Sequence, residues 1–256
     1  MSCDSSRPIF FQRQPVLPLP VQRFLRMRLE AALEDPNDRA LLAWPTVLGA
    51  PKLRQEYPSG MPEQVMFSHA AKMLHALGID DPEASWMDGN LRFPETAEQG
   101  DTGLKPHGEW GAFGPLVSLR SGVALSALTE LPSDGTYELK AGLALFNSAL
   151  YHEAHDALER LWKDAAGGLR EGLQALILMT AGYHHLQLHN LGGMQAVWQE
   201  SLHRLGALDS LLDTPWGKVD HRGAVACTQE RMANISSGAV AFERLWAMPV
   251  PRWEIS

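Results

Sequence analysis

Apolar residues return every three or four positions along most of this chain, and those runs predict helices. From Val21 to Glu34, Phe24, Leu25, Met27, Leu29 and Leu33 are set among arginines, and Asp35-Pro36 ends the run. A shorter helical piece is expected around Leu41–Trp44. From Pro62 to Leu77, Val65, Met66, Ala70, Met73 and Leu77 share one side, with Gly78 placed to end the helix. The pattern fails from Asp80 to Gly114, where Gly, Pro and acidic residues are scattered among Trp86, Phe93, Trp110 and Phe113. So long a stretch without a period reads as a wrapping segment or as a loop over a ligand. Leu116–Leu128 is apolar and fits either helix or strand. After a turn at Leu131–Gly135, a helix runs from Thr136 to at least Ser148. Gly193–Leu212 and Ala224–Leu245 are further helices, separated at Pro215-Trp216-Gly217, and Met248–Ser256 reads as extended. There is no repeat at solenoid spacing and no useful length of strand-like alternation. The expected fold is all-α: a helical-bundle domain over residues 131–256, behind an irregular, partly helical extension over residues 1–130.

The densest patterning lies in residues 145–190. Wound at about 100° per residue, Tyr151, Ala154, Leu158, Leu161 and Trp162 form one apolar stripe. His152, His155, Asp156 and Glu159 fall together on the neighbouring arc, because offsets of three and four return to the same side. Glu153 lies on the other flank. After a break at Lys163–Gly168 the next helix is apolar on nearly every side, through Leu173, Ala175, Leu176, Ile177, Leu178, Met179, Ala181 and Leu186. That marks a central helix, in which His184 and His185 need hydrogen-bond partners. A tight connection makes the two helices antiparallel. Glu159 then faces Gly172–Ala175, His155 faces about Ile177, and His185 faces Asn147. At about 1.5 Å rise per residue, His155 and His185 stand roughly 12 Å apart along the hairpin, too far to share one metal ion.

Three uses of these polar groups fit the spacing. As metal ligands, His152, His155, Asp156 and Glu159 offer imidazole and carboxylate, a set suited to Zn, Mn or Fe. Neither a paired Glu-x-x-His arrangement nor His-Glu-x-x-His is present, since the second His comes three residues after the first. As catalytic residues, Glu153, His155 and Glu159 place an imidazole beside carboxylates, which suits proton transfer. The plainer use is a structural network of Asn147, Glu153, His155, Glu159, His185 and Asn190 that holds the hairpin together. Asn190-Leu191-Gly192-Gly193 reads as the end of one helix and the start of the next, and Trp162 as a core anchor.

These residues resemble a known family. Phe146-Asn147, Glu153-Ala154-His155, Leu158-Glu159, Trp162, Gly172-Leu173, His185-Leu186, and Asn190 with Gly193 are similar in type and spacing to the signature of the helical domain of unknown function 309, over about residues 137–208. Asp156 stands where that pattern has Glu, while Glu171 and Ala175 stand where it has glutamines. One charge is kept and two amides are lost. The resemblance implies an all-helical fold and a recurrent polar cluster around Glu153, His155, Glu159 and His185. It brings no reaction, substrate or cofactor with it.

Composition narrows the partners. With 256 residues, 45% of them hydrophobic and 20% charged, the chain is long enough for a sizeable core. A net charge of −8 argues against a general nucleic-acid binder; Arg23, Arg26 and Arg28 are spaced like a solvated helix face. Cys3 and Cys227 form no metal-binding pattern, which excludes a cysteine zinc site and argues against a structural disulfide. Pro15, Pro18 and Pro20 interrupt the amino-terminal stretch, so neither a signal peptide nor a membrane anchor is expected there. The apolar run Gly172–Tyr183 is shorter than the about 20 residues that cross a bilayer. The expectation is a cytoplasmic protein without membrane or nucleic-acid partners. Its amphipathic faces are open to homo-oligomer formation, and it needs no cofactor, with a divalent metal as the one left open. His107, Trp110 and His221 lie in irregular regions where they have room to join a pocket. Because the polar residues flank the apolar seam without completing a catalytic constellation, the expected role is a non-enzymatic binding or scaffold module. A metal-assisted hydrolase using Glu153, His155, Asp156 and Glu159 is the alternative. The sequence names no ligand and leaves enzyme status open.

Overall fold

Periodic runs become helices in the structure, a computed structural model that describes residues 8–79, 97–99, 104–106, 110–208, 211–236 and 241–255. The expectations placed on Cys3, Trp86, Phe93 and His107 lie outside those residues. The fold is predominantly all-α. The chain divides into two compact units, one of Leu17–Leu131 and one joining Met1–Val16 to Pro132–Ser256.

In the unit of Leu17–Leu131, α1 spans Leu19–Glu34. It starts ahead of the patterned run because Pro20 has the φ that a first helical turn needs. Val21, Leu25, Leu29, Ala32 and Leu33 are buried, and Asp35 is extended, as a residue before proline must be. A 3₁₀ turn over Pro36–Leu42 leads into α2 (Ala43–Leu48), α3 (Pro51–Glu56) and α4 (Glu63–Ala76). Gly78 ends that run in the left-handed region at φ +74. The stretch without a period contains a two-stranded antiparallel ribbon, β1 (Ala97–Gln99) with β2 (Leu104–Pro106).

The ambiguous apolar segment is α5, Trp110–Thr129. Its Ala112–Thr129 window is long and apolar enough to cross a membrane by length and composition alone. Within this unit it buries Val117, Leu125 and Leu128 together with the polar Ser118, Arg120 and Ser121. Ser118 donates its hydroxyl to the Thr46 carbonyl of α2. Arg39 donates to the carbonyls of Leu128 at 2.7 Å and Thr129 at 3.3 Å, satisfying acceptors that a helix end leaves unpaired.

In the other unit, α6 (Tyr137–Asn147), α7 (Tyr151–Asp164), α8 (Gly167–Gln187) and α9 (Leu191–Gly206) double back one on the next. In α9, Ser201 donates to the Ala175 carbonyl of α8 at 2.8 Å and the Trp198 indole donates to that of Met179 at 3.4 Å, which fixes an antiparallel pair. Trp198 lies so close that a Cβ on Gly182 would be 2.1 Å from its ring. The residues signed for hairpin formation do pair, with one difference in level. Continuing the count from the loop puts His152 beside Thr180, but it lies beside His184, with ring centroids 5.1 Å apart. Helical side chains lean towards their own amino end. Those of α7 therefore tilt away from the loop and those of α8 towards it, and contacts fall about one turn beyond a count of Cα levels.

Two helix boundaries differ from the periodic reading. Gly193–Leu212 is not one helix: α9 ends at Gly206, and Leu211–Thr214 is strand β3, paired antiparallel with β4 (Gly217–Asp220) so that Leu211 faces Asp220. Strand β5 (Glu254–Ile255) adds to β4, with Ile255 opposite Val219. Strands of four and two residues are too short for alternation to show. Ala224–Leu245 is likewise two helices, α10 (Arg222–Ser236) and α11 (Phe242–Ala247). Phe10, Phe11 and Gln14 are buried in this same unit.

Candidate functional site

Helix α7 buries Tyr151, Ala154, Leu158 and Leu161, as the apolar stripe requires. That anchoring sets the next arc at the edge of the buried stripe, with Asp156 inside and His155 and Glu159 half-buried. There His155, Asp156 and Glu159 each bring one ligand atom within 4.8 Å of the others. His155 Nδ1 is 3.4 Å from Asp156 Oδ1, and His155 Nε2 is 3.9 Å from Glu159 Oε1, beyond hydrogen-bond reach. Asp156 is buried at 7% exposure, while His155 and Glu159 are half-buried. The protein thus fixes one carboxylate and leaves an imidazole and a second carboxylate reachable from solvent. One nitrogen and two oxygens suit a borderline divalent cation. His152, the fourth candidate ligand, is outside this group and stacks on His184.

The remaining candidates go elsewhere. Asn147 makes two bonds to the backbone of Trp253: its amide nitrogen donates to the carbonyl at 2.8 Å and its oxygen accepts from the N–H at 2.9 Å. The ring of Trp253 stacks on Phe146 at 3.7 Å. Asn190 caps α9 by accepting from Gly193 N at 3.0 Å, and its amide nitrogen lies 3.2 Å from His185 Nδ1. Glu153 is buried at 8% exposure in the first turn of α7, where a negative charge is favoured. Trp162 is half-buried, with the Arg170 guanidinium 3.8 Å above its ring.

Sequence reasoning missed Gln187 and Arg231. Gln187 is fully buried and donates to the carbonyls of Phe10 at 2.8 Å and Ala149 at 2.9 Å. Its own carbonyl accepts from Gln14 N at 2.9 Å. A lone amide at the end of an otherwise apolar helix was its only signal. Arg231 is fully buried on α10 and donates to the carbonyls of Cys227, Met248 and Pro249. Its head lies over the faces of Phe11 and Tyr183. One arginine in an amphipathic helix gives no such sign.

Electrostatics follow burial. The Tyr183 phenol, bonded to Thr228 Oγ1 at 2.8 Å, is pushed up to about 12 chiefly by burial. Tyr151 is raised well above an ordinary phenol, first by burial and then by the neighbouring Tyr183. Burial lowers both His185 and His221 below the usual histidine value. His221 is buried at 3% exposure just before α10.

Residues 139–197, from α6 into α9 and including the whole His155, Asp156 and Glu159 group, match the family described as Domain of unknown function (DUF309). It is the family the signature resembles. No curated protein and no solved structure matches the chain.

Proposed function

We propose that the protein is a binding module rather than an enzyme, and that its hairpin takes a divalent cation at His155, Asp156 and Glu159. One contrast supports this reading. Asn147, Gln187 and Asn190 are spent on backbone groups of their own chain. His155, Asp156 and Glu159 each bring a ligand atom of metal-binding type within 4.8 Å of the others along one arc of α7. A nitrogen and two carboxylate oxygens favour Zn or Mn over Ca, which prefers an all-oxygen cage. All three donors come from one helix, so the far side of the ion stays open to a ligand from a partner.

Calorimetric titration of Zn²⁺ or Mn²⁺ into chelator-treated full chain tests this. One ion per chain is expected. Asp156→Asn should weaken it by about tenfold or more, with the helical circular dichroism unchanged. A wild-type chain that binds neither ion sinks the cation assignment, and binding that survives in Asp156→Asn moves it elsewhere.

The same donor set favours a second reading, a metal-assisted hydrolase. In it, His155 and Glu159 hold the ion, and Glu153 or Asp156, both buried on the same helix, assists. Hydrolysis of p-nitrophenyl phosphate or p-nitrophenyl acetate that disappears in His155→Ala selects this reading. Full cation occupancy without turnover selects the module.

A further inference from the structure

His189 closes α8 in the left-handed region, at φ +56, where residues other than glycine rarely sit. Its ring lies face to face on Phe242, with centroids 4.0 Å apart and planes 2° apart. Its Nε2 accepts from the Trp246 indole N–H at 3.4 Å. Phe242 and Trp246 are one turn apart on α11, and Trp246 also meets Phe11 edge-on at 5.2 Å. One imidazole therefore fastens both ends of a short helix to the hairpin.

An indole N–H only donates. The bond to Trp246 exists only while His189 Nε2 keeps its lone pair, which means a neutral ring with its proton on Nδ1. A protonated ring would set N–H against N–H. The stack on Phe242 tolerates a cation, because the face of an aromatic ring attracts one. We propose that His189 is a proton-operated latch: on protonation its bond to Trp246 breaks, and the Trp246 end of α11 comes away from the hairpin while the Phe242 end stays.

The charged groups that face the ring are Arg13, from the amino-terminal segment, and Glu243, from α11. Burial and then Arg13 disfavour the imidazolium, Glu243 favours it, and the balance keeps the ring below the ordinary 6.5. On its own helix, His185 is turned to Asn190. The latch is thus shut above pH 6.5 and opens as pH falls below it. Release at Trp246 loosens the segment that follows, whose Met248 and Pro249 carbonyls accept from Arg231.

The chain has eight tryptophans, so a ¹⁵N-labelled sample offers eight indole N–H signals to follow by NMR. The signal of Trp246 is the one lost in Trp246→Phe. It is expected to move between about pH 8 and about pH 5 with a midpoint below the ordinary histidine value, while most of the others hold still. His189→Asn keeps an acceptor oxygen and tolerates positive φ but does not titrate, so it should abolish that midpoint. A Trp246 signal that stays put, or that titrates equally in His189→Asn, overturns the latch. So does a simultaneous change in all the indole signals, which would mean global unfolding.

Discussion

Two polar side chains four residues apart, half-buried Asn147 and buried Tyr151, behave in opposite ways at the residue scale. Asn147 satisfies both backbone groups of Trp253. The hydroxyl of Tyr151 is fully buried and has no hydrogen-bond partner among the described residues. Removing one half of a buried bond strands the other half, whereas removing an unpaired group strands nothing. Asn147→Ala should therefore cost about 2–3 kcal/mol, and Tyr151→Phe should be neutral to within about 1 kcal/mol or slightly stabilising. Urea midpoints at constant m-value measure both. Asn147 and Asn190 were legible as polar residues with structural work, because amides beside helix ends have few other uses. The partner of Asn147 was not, since nothing local to Asn147 points to a residue 106 positions later.

At the scale of elements, glycine separates close packing from open surface. A Cβ on Gly182 would lie 2.1 Å from the Trp198 ring, and that ring is fully buried between α8 and α9. Gly182→Ala should cost about 1–3 kcal/mol by forcing the helices apart. A Cβ on Gly168, in the first turn of α8, would meet nothing within 4 Å among the described residues. Gly168→Ala should add up to about 1 kcal/mol by helix propensity. Thermal unfolding of the two variants should shift in opposite directions. The long helices were readable because several turns repeat the same offset. Segment α5 was not, because residues such as Leu116, Leu119 and Val123 keep apolar groups on more than one side, and a continuous apolar run fits helix or strand. The ribbon β3–β4 escaped because four residues hold too few alternations to count.

For the molecule as a whole, burial of ionisable rings sets a pH window. His185 and His221 have folded values below the ordinary 6.5, so the unfolded chain takes up their protons first. Their contribution is complete above 6.5 and is lost as pH falls. Tyr183 runs the other way. Its folded value of about 12 lies above the ordinary 10, so the unfolded chain ionises first and stability falls as pH rises past 10. Unfolding free energies near pH 5, 8 and 11 should peak at the middle value, and Tyr183→Phe should shrink the alkaline fall, part of which Tyr151 still carries, and leave the acid side unchanged. This long-range organisation had no local signature. The amino-terminal residues cluster with the chain after Pro132, and Gln187 reaches Phe10 across 177 positions. For the candidate site, the polar arc of α7 was visible in the spacing. Which member would stay out was not, because that depended on the ring of His184 beside His152.

The bond pair between Asn147 and Trp253 also dictates an order of events. Chains emerge from their amino end, so the signature hairpin exists as polymer well before the residues that cover Phe146 and occupy the Asn147 amide. During that interval the apolar ring of Phe146 faces water, and water takes the place of Trp253 on the Asn147 amide. Contacts this distant in sequence are slow to close, so the nascent hairpin passes through a sticky, unsealed stage that ends when its own late-made strand arrives.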